Sequence, residues 1–239
     1  MPKTIFERTE KKYVITVSQK NELLKLISEK ITTDEYGKSN VNSIYYDTDD
    51  YRLIRNSIDK PVYKEKLRLR SYSIPNADST VFLELKKKYK GVVYKRRKTF
   101  KYSDAQNYLK FHIMPDNSQI MREIDWAMSF YKSLKPKMFI GYDRLAYVGK
   151  DDKNLRITFD FNLRFRTDNL SLDCGNYGES IVGNNYCVME IKSLNSMPLW
   201  LCNALDKLKI YPSSFSKYGM AYQIISKRNS EQNGGISCA

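Results

Sequence analysis

The sequence predicts an α+β protein built on an antiparallel β-sheet that closes into a barrel. Three observations predict it. Long strand-like stretches dominate the chain, and helices interrupt them rather than alternate with them, which is the pattern of α+β and not of parallel βαβ units. Seven of these stretches carry charged residues on one parity and aliphatic residues on the other, so each strand has one charged and one greasy face. The charged faces use Lys and Arg, several with a single carboxylate, where ordinary solvated faces use Ser, Thr and Gln. Closure would gather those faces around a cationic lumen and leave the apolar faces for helices on the outside.

The elements follow in order. Residues 11–17 open as a strand. Residues 21–31 place Leu23, Leu24, Ile27 and Ile31 at helical spacing, with Ser18 as the expected N-cap and Asn21 in the place of an acid. Residues 41–48 return to strand. Residues 59–74 and 79–102 predict three long strands, the last two joined by a tight turn at Lys90–Gly91. Two helices are expected next: residues 103–112, capped by Ser103, and residues 118–134, with Ile120, Ile124, Trp126 and Phe130 on one face and Pro136 as the stop. Strands resume at 137–149, 155–167 and 185–194. Residues 196–208 predict a helix capped by Ser196 with Pro198 in its first turn. No linker or repeat divides the chain, so one domain over residues 1–228 is expected, followed by a polar, frayed end at 229–239.

Composition narrows the partners. The 239 residues carry a formal net charge of +14, which points to a polyanion: nucleic acid, an anionic membrane surface or a condensed phosphate. The four cysteines (Cys174, Cys187, Cys202, Cys238) have no metal-ligand spacing, and with the single His112 they make a zinc site unexpected. No apolar run reaches the length of a membrane span and no signal-peptide core opens the chain, so a cytoplasmic location is expected. Trp126 and Trp200 are expected to pack against the outside of the sheet. Lys11, Lys87, Arg96 and Lys98 have the wrong parity for the lumen and are expected to form a basic outer surface.

The charged faces supply the candidate site. One strand aligns Lys64, Lys66, Arg68 and Arg70; the next aligns Glu84, Lys86 and Lys88; the third aligns Lys95 and Arg97. Further along, Arg144 stands with Tyr142, Arg156 with Thr158 and Asp160, and Glu190 with Val188 and Lys192, while near the start Arg8, Glu10 and Lys12 share a parity. A lining of roughly ten cations repels itself by several kcal/mol per close pair at low effective dielectric, and a ligand with many anionic oxygens relieves it. Arginine forks suit phosphate oxygens and lysines act as point charges. Glu10, Glu84 and Glu190 offer oxygen ligands for Mg²⁺ or Mn²⁺, or else wall salt bridges.

The segments RTEKKYVI, SIYYDT, KEKLRLRSY, FLELKKK, VVYKRRK, YDRLAY, LRITFD, VMEIK and FSKYGMA, in that order over residues 5–225, resemble the VTC domain family, polyphosphate polymerases of the triphosphate tunnel metalloenzyme superfamily. The resemblance implies a closed tunnel of eight antiparallel strands that binds a triphosphate with Mn²⁺ or Mg²⁺, and transfer of the γ-phosphoryl group of ATP onto a polyphosphate chain. It makes Lys12, Arg68, Arg70, Lys86, Lys95, Arg97, Arg144 and Arg156 phosphate-binding wall residues and Glu190 a metal ligand. It sets Lys217 near the transferred group with Ser216 beside it. With the neighbouring faces, the expected phosphate-binding set gains Arg8, Lys66, Lys88 and Lys192, and Lys217, Arg144 and Arg156 are the expected catalytic residues. The triphosphatase branch carries ExExK at its first strand; here the stretch reads Arg8-Thr9-Glu10-Lys11-Lys12, which leans toward the polymerase branch. The sensor domain and membrane segments of eukaryotic complexes do not match, so a stand-alone version is expected, with a membrane-associated partner left open.

An acceptor that is itself an ionised phosphate needs no general base, in keeping with a single histidine. Two other readings stand beside polyphosphate synthesis. A tripolyphosphatase or nucleoside triphosphatase uses the same lining, and a basic nucleic-acid-binding module uses Lys86–Lys88, Lys95–Lys98 and the tyrosines as a stacking platform. The last ranks lowest and nucleic acid is not the expected partner, because such a surface has no need of carboxylates among its cations.

Overall fold

Alternation of charged and aliphatic residues sorts each strand into two faces, and the aliphatic face is the one that packs beneath helices. The computed structural model describes residues 8–194 and 196–234, with Arg8 and residues 232–234 described by backbone alone. Its strands are β1 (Arg8–Thr16), β2 (Ile31–Asp47), β3 (Tyr63–Ser71), β4 (Thr80–Tyr89), β5 (Val92–Lys101), β6 (Lys135–Gly149), β7 (Arg156–Arg166), β8 (Glu179–Ser180) and β9 (Tyr186–Leu194). Its helices are α1 (Val17–Ile27), α2 (Arg52–Ile58), α3 (Tyr102–Phe111), α4 (Gln119–Phe130), α5 (Leu199–Lys207) and α6 (Lys217–Gly234). The last of these carries residues 229–234 as helix; residues 235–239 of the expected frayed end lie outside the described residues.

The strands are hydrogen-bonded in the order β1-β9-β7-β6-β2-β3-β4-β5, with β8 off this path against β7. That order has two ends. Among the described residues β1 pairs with β9 alone and β5 with β4 alone, so the sheet is open and the expected closed eight-stranded barrel is corrected. Alternation dictates which side chains share a face, but it carries no information on whether the first and last strands meet.

Two compact units form. The first holds the described parts of Met1–Asn40, Tyr142–Leu163 and Val182–Ser216. Here Tyr13, Ile15, Ile157, Phe159, Met189 and Ile191 project from β1, β7 and β9 into a core completed by Leu23 and Ile27 of α1 and Leu201 and Leu205 of α5. Trp200 packs against this core as expected. The second unit holds the described parts of Val41–Gly141, Arg164–Ile181 and Lys217–Ala239. Its core joins Ile44, Leu67, Leu69, Leu83 and Leu85 to Tyr108 of α3 and Met121 and Ile124 of α4. Each fully buried aliphatic side chain contributes about 1.5–3 kcal/mol of transfer free energy.

Three helix starts differ from expectation. α1 is capped by Thr16, two residues before Ser18: its hydroxyl accepts from Gln19 N at 3.1 Å and Gln19 Oε1 accepts from Thr16 N at 3.1 Å, a capping box that begins directly at the end of β1. Ile31 opens β2 instead of closing the helix. α3 starts at Tyr102 from Lys101, so Ser103 lies inside it. Ser118 does cap α4, but the helix stops at Phe130 with Lys132 at φ 57°, and Pro136 falls in β6. Pro198, and not Ser196, is the N-cap of α5. The turn at Lys90–Gly91 is as expected: both residues have positive φ (45° and 87°), and Tyr89 pairs with Val92 across it. Trp126 and Phe130, expected to pack inward, stay more than half exposed; Met121, Ala127 and Met128 take the buried face of α4 instead.

The expected basic outer surface is also corrected in part. Lys87 lies 3.6 Å from the buried Glu65, Arg96 Nε 2.7 Å from Glu123, and Lys98 pairs with Asp116. These three cations fasten the sheet to neighbouring acidic groups.

Candidate functional site

In the second unit the antiparallel register places one face of β3, β4 and β5 in rows. Lys64 stands opposite Lys88, Lys66 opposite Lys86, and Arg68 opposite Glu84; Glu84 in turn faces Arg97, and Lys86 faces Lys95. Arg70 shares the face. Eight cations therefore surround one carboxylate, and three cross-strand pairs join like charges, each an arrangement that destabilises a sheet. Burial and the nearby Lys88 and Lys60 hold the Lys64 ammonium below its usual range.

Glu84 is the brace of this face. It is 1 % exposed; its Oε2 takes Arg68 at 2.8 Å and Arg70 at 3.7 Å, and its Oε1 takes Lys95 and Arg97 at 2.6 Å each. Burial would raise its pKa, but Arg68, Arg70 and Lys95 outweigh that and hold it far below the carboxylate range. Both oxygens are thus engaged by guanidinium and ammonium groups.

Tyr45 joins this face from β2 and lies outside the expected set. It sits opposite Arg68 in the β2–β3 register, and its hydroxyl accepts from Arg68 Nη1 at 2.9 Å. Burial opposes ionisation of the phenol, yet Arg68, Arg70 and Lys66 bring its pKa down to about 7. Tyr218 stacks on Tyr45 with ring centroids 4.5 Å apart and donates to Asp47 Oδ2 at 2.8 Å. Asp47 is buried and also accepts from the backbone of Thr48, Leu53 and Ile54. The first turn of α6, which begins with the half-buried Lys217, is thereby anchored to β2. The YYDT of the strand and the SKY of the helix start were visible in sequence; their meeting was not.

In the first unit, β1 and β9 pair Glu10 with Lys192 and Lys12 with Glu190, and β9 sets Glu190 opposite Thr158 and Lys192 opposite Arg156 on β7. Lys12 Nζ lies 3.4 Å from Glu10 and 3.8 Å from Glu190, and Lys192 Nζ 2.5 Å from Glu190. Burial pushes the Glu190 pKa up, while Lys192, Lys12 and Arg144 more than reverse this and bring it to about 2. Arg144 makes a two-pronged pair with the buried Asp160, at 2.7 and 2.9 Å, and Arg156 pairs with Asp34. Asp34 was absent from the expected site; its only signal in sequence is a carboxylate in a stretch that does not read as strand. Lys12 Nζ also reaches the Phe215 carbonyl at 3.5 Å, drawing the segment that ends at the half-buried Ser216 along β1.

Thus Arg68, Arg70, Lys66, Lys86, Lys88, Lys95, Arg97 and Glu84 share one face of the second unit; Lys217 lies in the same unit, at the start of α6. Glu10, Lys12, Glu190 and Lys192 gather in the first, with Arg144 and Arg156 on its sheet. Arg8 occupies its place in β1 opposite Leu194, and its side chain is outside the described residues. His112 ends α3 at φ 57°, its ring edge-on to Tyr108. Cys174, Cys187 and Cys202 are free thiols, and Cys238 lies outside the described residues. Among the described residues no helix is long and apolar enough to cross a membrane, and no group of three His, Cys, Asp or Glu side chains is placed to hold a metal ion.

The model of the family described as the VTC domain matches residues 7–226. The chain belongs to the VTC domain family. Its fold is that of a candidate adenylate cyclase from Bacillus halodurans, which is similar at a TM-score of 0.55 and 14 % identity over 87 % of this chain and 92 % of that one. A candidate adenylate cyclase from Vibrio parahaemolyticus is similar at a TM-score of 0.44 and 11 % identity, over 91 % and 98 % of the two chains. No curated protein matches the sequence.

Proposed function

We propose that this VTC domain protein is a polyphosphate polymerase that moves the γ-phosphoryl group of ATP onto a growing phosphate chain. The observation that carries the reading is the face of the second unit: eight cations to one carboxylate, with lysines directly opposite lysines. Such a face is self-repelling until anionic oxygens lie between its rows. A nucleic acid would supply phosphates too, but its backbone calls for an exposed groove with stacking rings. Here the cations are braced by a carboxylate that is buried beneath them.

The chemistry asked of the protein is positioning and charge neutralisation. In this reading Arg68, Arg70 and Arg97 direct guanidinium forks at phosphate oxygens, while Lys66, Lys86, Lys88 and Lys95 add point charges between them. Glu84 keeps these side chains from splaying apart. Arg144 and Arg156, each held by its own aspartate, present fixed guanidinium groups, and Lys217 balances charge that develops on the transferred group. The acceptor is an ionised phosphate oxygen, so no residue has to remove a proton.

A divalent cation fits the first unit. Glu10 and Glu190 converge on one ammonium, that of Lys12, which occupies the position of a cation between two carboxylates. Thr158, opposite Glu190, has a buried hydroxyl oxygen with no hydrogen-bond partner. Two carboxylates and a hydroxyl are hard oxygen donors of the kind that would hold Mg²⁺ or Mn²⁺. When bound, the ion neutralises phosphate charge and polarises the phosphorus–oxygen bond.

The test is incubation with ATP and Mn²⁺ or Mg²⁺, followed by gel separation and staining for long phosphate chains. A polymer that a polyphosphatase degrades is expected, and its loss in Glu190→Ala and Lys217→Ala. Release of orthophosphate alone would move the assignment to a triphosphatase on the same face. Full polymer synthesis by both variants would remove the site assignment.

A further inference from the structure

The hairpin that joins β4 to β5 carries a second, different surface. Tyr63, Tyr89, Val92, Tyr94 and Trp126 are each between 44 and 58 % exposed. They are contiguous: Tyr63 pairs with Tyr89 across β3–β4 with rings 6.5 Å apart, and Tyr89 pairs with Val92 across the turn. Tyr94 stands opposite Lys87, whose ammonium lies 5.6 Å from the Trp126 ring. Exposed apolar groups continue around the tip. Val93, on the opposite parity, is 48 % exposed, and Val62, whose carbonyl accepts from Lys90 N at 3.0 Å, is 62 % exposed. A side chain at Gly91 would meet nothing within 4 Å. Lys60 and Lys90 are exposed at this same end, with Asp59 beside Lys60; Glu65 is buried and engaged by Tyr63 and Lys87, and Glu123 near Trp126 is held by Arg96.

We propose that this hairpin tip seats the protein on an anionic phospholipid surface, with the valines and tyrosines in the headgroup layer and the lysines on lipid phosphates. Tyrosine and tryptophan favour the boundary between water and acyl chains, and basic residues add attraction to anionic headgroups. Two features of the molecule favour lipid over the other possible occupants. A second copy that paired along β5, the edge strand at this hairpin, would set Lys95, Arg96, Arg97 and Lys98 against their own counterparts in a chain of net charge +14. A protein partner covers one face of a strand pair, whereas here exposed valines stand on both faces of the tip, Val92 opposite Tyr89 and Val93 opposite Lys88, an arrangement suited to a layer that takes apolar groups and lysines together.

The experiment is co-sedimentation of the whole chain with sucrose-loaded vesicles of phosphatidylcholine alone and of phosphatidylcholine with phosphatidylglycerol. Binding to the mixed vesicles and not to the neutral ones is expected. The double variant Val92→Ser/Val93→Ser, which leaves charge unchanged, is expected to bind about tenfold or more weakly, and Lys90→Gln several-fold more weakly. Thermal melting and tripolyphosphate binding should be the same in the valine variant as in the parent. Undiminished binding by the valine variant would assign the attraction to charge alone and overturn the proposal. So would equal binding to neutral vesicles, absence of binding to both kinds, or a dimer in light scattering that the valine substitutions abolish.

Discussion

The two units handle charge in opposite ways. In the first, Lys12, Lys192, Arg144 and Arg156 are matched by Glu10, Glu190, Asp160 and Asp34, four cations to four carboxylates, all paired within the unit. In the second, the face that β3, β4 and β5 share carries eight cations and one carboxylate, Glu84. A balanced cluster has no standing demand for an anion and can exchange an ammonium for a metal ion. An unbalanced one stores repulsion that an anionic ligand releases. The same strand recipe, charged face against aliphatic face, thus yields two different chemical surfaces according to how the acids are distributed.

The largest expected effect comes from removing the Glu84 carboxylate. Glu84→Gln should lower stability by about 3–5 kcal/mol, because it removes the buried negative charge that Arg68, Arg70, Lys95 and Arg97 share. Tripolyphosphate should restore much of that loss, as read by denaturant unfolding with and without the ligand. The pH dependence has a definite sign. The folded-state pKa of Glu84 is depressed, so its contribution is full above the unfolded carboxylate value of about 4.3 and is lost as pH falls toward the folded value. The acid weakening of the parent below that pH should be smaller in Glu84→Gln.

Asp160→Asn in the balanced unit should cost about 1.5–3 kcal/mol, the range for hydrogen bonds to a charged group. If the comparison is right, tripolyphosphate recovers less of this loss than of the Glu84→Gln loss. Equal recovery in both variants would erase the distinction between the units.

Tyr45→Phe should cost about 1 kcal/mol for the lost hydrogen bond to Arg68. Its sharper signature is optical. One tyrosine of the parent should ionise near pH 7, seen as phenolate absorbance, and that step should be missing in the variant.

The smallest effect has the most telling sign. Lys86→Met removes one member of two like-charge pairs and should raise stability by about 0.2–1 kcal/mol while weakening tripolyphosphate binding. A loss of stability would show that the cationic rows are not under mutual repulsion.

Much of this was legible beforehand because it is local. The period of two separates Lys66, Arg68 and Arg70 from Leu67 and Leu69 whatever the strand pairs with. Lys90–Gly91 needs only two residues that tolerate positive φ. Helix starts were less legible where a strand runs directly into a helix: with no loop between β1 and α1, Thr16 serves both, and Ser18 is a competing cap two residues on. Trp126 was misplaced because an amphipathic reading of residues 118–134 let large aromatics define the apolar face, whereas Ala127 and the methionines fill the space beneath the helix. The Arg156–Asp34 and Tyr218–Asp47 contacts join residues 122 and 171 positions apart, a separation over which no spacing rule operates.

By itself the sequence determined the cationic excess, the two faces of every long strand and the resemblance that family membership bears out, because these depend on residue type and on the backbone's short repeat. Only the tertiary structure decided that the sheet stays open and that Glu84 serves four cations while Arg144 pairs with Asp160 and Arg156 with Asp34. Pairing partners are chosen by strand order, and strand order is set by which distant segments meet.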